Sequence, residues 1–163
     1  MAITRSNAAM VLTGGVGVLC ATLGAAQSPP AQQSLPVQSS PAPVSRSVLD
    51  GVYTEDQAKR GQSIYARECA SCHGDALEGG DEGPPLSGSA FASSWNGSTA
   101  GAIFDRIRST MPADAPGGLS LEEDADVLAY MLSVAKFPAG ETELAAKAEI
   151  LKQIRFETAR PQR

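Results

Sequence analysis

From Thr54 onward, apolar residues recur every three or four positions, the interval of a helix with one buried face. Ala58, Gly61, Tyr65, Cys69 and Cys72 make the first such stripe. Thr54-Glu55-Asp56-Gln57 ahead of it has the form of a capping box, so a helix is predicted over residues 55–70. A second helix is predicted over 99–110, with Ala100, Ile103, Phe104 and Ile107 on one side. It must stop there, because Pro112 disfavours helical backbone at Met111 and leaves that side chain exposed at the break. Ser120-Leu121-Glu122-Glu123 is another capping box and opens a third helix reaching about Ala135. Its two apolar stripes, Leu121/Ala125/Leu128/Leu132 and Val127/Tyr130/Met131/Val134, predict burial on two sides and a central place. Leu144, Ala148 and Leu151 suggest a short fourth helix. Residues 74–96 are rich in Gly and Pro and read as one long loop, and no alternation of apolar and polar residues predicts a strand.

The chain ahead of these helices has another character. Arg5 is followed by small and apolar residues up to Ala26, and Gly24-Ala25-Ala26 suits signal peptidase, so 1–26 reads as a signal peptide cleaved after Ala26. The alternative is a retained membrane anchor, but the strongly apolar part, 11–23, is Gly-rich and short beside the ~20 residues of a spanning helix. Cys20 invites a lipoprotein reading, against which Leu19 stands where a small residue is expected. Residues 27–48 read as a linker, since five Pro, six Ser and four Gln fall between Gln27 and Ser47 with one charge and no apolar face. The folded domain is placed at 49–136 and a C-terminal extension at 137–163.

Composition narrows the function. A formal charge of −5 argues against nucleic acid as a partner; loss of Arg5 with the leader leaves 12 basic against 18 acidic side chains, a formal −6. Aromatic residues are 5% of the chain while Gly and Pro number 16 and 11, which predicts a thin core that a cofactor would help to fill. After export only Cys69 and Cys72 remain, too few to staple a domain, so the cysteines serve something local.

That something is Cys69-Ala70-Ser71-Cys72-His73. Two thiols at i and i+3 can add across the two vinyl groups of a haem, and a His directly after the second sets its imidazole under the iron. A zinc site would need further ligands, and a thioredoxin-type pair would follow a strand. A plain local disulfide leaves His73 without a role. His73 is the single histidine, so a bis-histidine iron cannot be built within one chain, and a thioether is the next choice. Met111 stands 38 residues after His73, at the break before Pro112, where a loop can swing its sulfur over the opposite haem face. An ordinary surface-loop Met is the alternative there. Met131, inside the stripes of the third helix, reads as flexible core filler.

On these residues the chain resembles the class I c-type cytochromes over about residues 52–136. The resemblance rests on Cys69-Ala70-Ser71-Cys72-His73, Gly83-Pro84-Pro85-Leu86, Thr110-Met111-Pro112 and the terminal helices. It implies an all-α fold, three core helices and long loops around one covalent haem c, here with a C-terminal helical extension. It also implies iron ligation by His73 and Met111 and helix crossing through Gly61, Tyr65, Val127 and Tyr130. The Pro84 carbonyl would accept from His73 Nδ1 and Trp95 would donate to a haem propionate, whereas Arg106 and Arg108 read as a solvated helix face.

The expected function is outer-sphere electron transport without an enzymatic reaction of its own, because six-coordinate iron has no open site for a substrate. The partners expected are redox proteins in the periplasm: a dehydrogenase or respiratory complex as donor, an oxidase or other cytochrome as acceptor. Membrane tethering would follow only if the N-terminal segment were retained. Two alternatives are a subunit of a periplasmic quinoprotein dehydrogenase complex and a haem enzyme or gas sensor with a displaceable sixth ligand. Asp75, Glu78, Asp81 and Glu82, with no cation before Arg106, form an acidic loop that is either simply solvated or a docking face.

Overall fold

The structure, a computed structural model, describes residues 46–160. The expected leader with Cys20 and Ala26, and the linker up to residue 45, lie outside the described residues. No helix among those described is long and apolar enough to cross a membrane.

Each main helix starts on the cap its sequence supplies. Thr54 Oγ1 accepts from the Gln57 amide at 3.1 Å and opens α1 (Glu55–Glu68). Thr99 Oγ1 does the same for Ala102 at 3.1 Å at the head of α4 (Ala100–Thr110). Ser120 and Glu123 close a complete capping box at the start of α5 (Leu121–Val134). As expected from Pro112, α4 ends where Met111 turns extended, at φ −125° and ψ 153°.

Three expectations are corrected. The first helix does not run to Ala70: α1 stops at Glu68, Cys69 leaves helical geometry at φ −126°, and α2 (Ala70–His73) is a separate single turn. Residues 74–96 are not one loop, since α3 (Gly88–Trp95) forms within them; it buries Phe91, which is stacked one turn from Trp95 with ring centroids 6.3 Å apart. The extended backbone is not nil either. β1 (Arg46–Ser47) pairs in parallel with β2 (Ile154–Arg155), Arg46 opposite Ile154, so the two ends of the described chain are tied together.

The core lies between α1 and α5. Where they cross, a side chain at Gly61 would overlap the Asp126 carbonyl and crowd Tyr130 Cβ at 3.0 Å, so only glycine permits this approach. Tyr65 and Tyr130 meet beside it, centroids 5.4 Å apart, and Arg60 clamps Asp126 with two bonds of 2.8 and 2.9 Å. The C-terminal segment joins the same core. Leu144, Leu151, Ile154 and Phe156 are buried, the Gln57 side chain bonds both backbone groups of Leu144 at 3.1 and 2.8 Å, and Phe156 packs edge-on against Phe91 and Phe137. α6 (Ala148–Leu151) is a single turn lying against α4.

Candidate functional site

The turn that follows α1 presents the chemistry. Cys69 and Cys72 are free thiols, both half-buried, and His73 between them and Gly74 is buried at 7% exposure. Desolvation comes first among the influences on Cys69, with the charges of Glu68 and Asp124 adding to it, and its thiol is pushed up to about 11. It is therefore a neutral thiol at ordinary pH. Cys72 Sγ lies 3.6 Å from Glu82 Oε2.

The loop after His73 folds back beneath it. Gly79 N–H donates to the His73 carbonyl at 2.8 Å, Gly80 N–H to Gly83 O at 2.9 Å, and Leu86 N–H to Leu77 O at 2.9 Å. Leu77 holds the left-handed φ of 61° while fully buried, a conformation a branched side chain keeps only when its surroundings fix it. Tyr65 Oη donates to the Gly74 carbonyl at 2.7 Å and pins the same turn to α1, and burial raises its phenol well above the usual range. The loop thereby delivers Pro84 O to within 2.7 Å of His73 Nδ1. A carbonyl can only accept, so Nδ1 carries a proton, and in the neutral ring Nε2 keeps its lone pair. Gly83 makes room: a Cβ there would come to 2.8 Å from the Cys72 carbonyl and 2.9 Å from Nδ1.

Beside this turn lies a cavity of about 820 Å³. Cys69, Cys72 and His73 form one wall, Met111 reaches it from the end of α4, and Pro84 and Trp95 border it from the intervening loop and α3. The six residues singled out in the sequence thus line one space. Met111 is half-buried rather than exposed, and Met131, read as core filler, is buried at 2% and also reaches the cavity from α5. Sequence reasoning missed Phe91, on a helix it did not predict, and Arg106, which lies exposed yet borders the cavity. Arg108, two residues on, is exposed and does not line it, in keeping with a solvated face.

The donor set fits a covalently held haem. Two thiols three apart, an imidazole and a thioether surround a largely apolar space of the size that cofactor sites occupy, roughly 300–1,000 Å³.

Comparison with known proteins agrees with the geometry. The sequence model described as cytochrome c oxidase, cbb3-type, subunit III matches residues 56–131. Over that stretch the chain is similar to the c-type cytochrome domains of this family. The family is one of electron-transfer domains and not of enzymes by themselves, and its cofactor is haem c. No curated protein matches the chain. Among solved structures, the sulfane dehydrogenase SoxCD from Paracoccus pantotrophus aligns at 24% identity and a TM-score of 0.44, over 66% of this chain. The chain spans 61% of the length of that one.

Proposed function

We propose that this cytochrome is an exported carrier of single electrons with one haem, joined through Cys69 and Cys72 and ligated by His73 and Met111. The observation that carries the reading is that both thiols, the imidazole and the Met111 thioether line one cavity. Bound there, the haem supplies a one-electron Fe(III)/Fe(II) couple. The protein's part is to hold, orient and shield. Pro84 O fixes the tautomer and plane of His73 and makes Nε2 more basic, and Gly83 leaves the ring its space. Met111 supplies a neutral sulfur that favours the reduced state and closes the position a substrate or gas would need, which sets aside the haem enzyme and the sensor. Arg106 and Trp95, at the border of the cavity, are the groups suited to hold carboxylate side arms of the cofactor.

The donor is a dehydrogenase or respiratory complex and the acceptor an oxidase or another cytochrome. Proteins of this kind meet in the periplasm, where the leader over residues 1–26 directs the chain. The Pro/Ser/Gln-rich linker would serve a membership in a quinoprotein dehydrogenase complex by raising local concentration. Copurification of a large quinoprotein with the native chain would identify that complex.

Ligand replacement tests the site. The oxidised wild type is expected to show the weak long-wavelength sulfur-to-iron band. Met111→Ala is expected to lose it, lower the potential and admit small ligands to the iron, while Met131→Leu keeps it. Loss of the band in Met131→Leu alone would transfer the ligand role to α5.

A further inference from the structure

Asp124 is the most deeply buried carboxylate of the described residues that nothing in the electron-transfer site uses. It is 1% exposed, and neither Oδ1 nor Oδ2 has a hydrogen-bond partner among the described residues. Structural carboxylates here behave otherwise: Asp126, two residues on, is clamped by Arg60, and Glu123 caps its own helix. A carboxylate left this way in an apolar setting is costly as an anion and acceptable as a neutral acid.

Its surroundings couple it to the haem cavity. Asp124 lies in the first turn of α5, and its charge acts on the Cys69 thiol, which forms part of the cavity wall. At the end of α1, Arg67 is held by Glu68 at 2.5 Å and by Glu123 at 3.8 Å and so is engaged elsewhere. From α4 comes Arg108, exposed, which favours the anion; on α5 itself Glu123 disfavours it, and Glu122 stands in the same turn. No cation among the described residues is paired with Asp124. Desolvation outweighs both Arg108 and the favourable helix N-terminus and pushes the carboxyl up to about 6.

We propose that this cytochrome takes up a proton with its electron, and that Asp124 is where the proton binds. The inference rests on the haem reading of the cavity. When a redox-protein donor delivers one electron, the positive charge at the metal falls by one and the cavity no longer stabilises the Asp124 anion as well. One Oδ–H bond forms with a proton from solvent, and no bond in the protein breaks. When the electron leaves to the acceptor, the proton returns to solvent. With a tenfold difference in affinity, at most about half a proton accompanies each electron, at the pH midway between the two titrations, so the charge change on the carrier is partly compensated. A unit charge roughly 12 Å away across an effective dielectric of about 20 changes a proton affinity about tenfold. A tenfold difference between the two states appears as a fall in potential of about 59 mV in total as pH rises through the titration.

The test is the potential of the intact holoprotein against pH, in samples whose covalent haem has first been verified from the visible spectrum after denaturation. The wild type is expected to fall in potential through the region around pH 6, and Asp124→Asn to lose that fall. Arg108→Gln, a surface change that leaves folding intact, is expected to move the fall to higher pH. Reduced-minus-oxidised infrared spectra near pH 6 are expected to gain a protonated-carboxyl band that Asp124→Asn lacks. A flat wild-type potential with haem present, an unchanged fall in Asp124→Asn, or an unmoved fall in Arg108→Gln would overturn the proton site and leave the haem reading standing. Absence of covalent haem would take both down.

Discussion

A buried acid leaves its mark on stability as well as on potential. The carboxyl of Asp124 titrates near 6 in the folded chain against about 3.9 when unfolded, so folding binds a proton between those values. The contribution of Asp124 is therefore full below about pH 4, declines as pH rises through about 6 and is level beyond. Asp124→Asn removes the cost of the anion and is expected to raise stability at pH 8 by up to about 3 kcal/mol, with little change at pH 4. Urea unfolding of the holoprotein at both pH values measures this, and equal gains at the two would contradict it. Gly83→Ala acts at the same scale on the other side of the site. Its Cβ meets the Cys72 carbonyl and His73 Nδ1, both fixed, so His73 must rotate or the loop must shift. The expected result is a lower yield of holoprotein and a lowered potential in what forms, read by spectrum and redox titration.

At the scale of elements, the α1–α5 crossing and the returning C-terminal segment carry the fold. Gly61→Ala pushes a methyl into the Asp126 carbonyl, and since two rigid helices meet there the expected loss is about 3 kcal/mol, seen as an earlier unfolding midpoint. Phe156 is fully buried against Phe91 and Phe137, so Phe156→Ala is expected to cost about 3–5 kcal/mol although it lies far along the chain from the haem motif. A change under about 1 kcal/mol would mean that the segment merely rests on the domain. Which elements were legible in the sequence follows from how local their signals are. Thr54, Thr99 and Ser120 each cap within three residues, and Pro112 acts on its neighbour, so α1, α4 and α5 could be placed closely. α3 could not: it is one eight-residue stretch with only Phe91 and Trp95 as large apolar residues and no side-chain cap bond at Ser87. The β1–β2 pair has two residues a side and joins positions more than a hundred apart, which no periodicity reports.

For the whole molecule, the site divides in the same way. Cys69, Cys72 and His73 stand within five residues and are chemically specific, so the sequence alone singles them out as candidates; Met111 was singled out because the break before Pro112 is local. Arg106, Phe91 and Met131 reach the cavity only because α3, α4 and α5 converge on it, and Asp124 hid among Glu122 and Glu123 at a helix start, where acids are normally solvated. The cavity itself is a large part of a small interior, so its occupant completes the core and should be needed for a stable fold. Replacing both Cys69 and Cys72 by Ser is accordingly expected to leave little folded protein, as judged by near-ultraviolet circular dichroism. The most direct measurement is the intact mass of the exported chain after acid and organic extraction. The account predicts a polypeptide cleaved after Ala26 that carries one haem through the extraction. A bare polypeptide, with the haem in the organic phase, would contradict it.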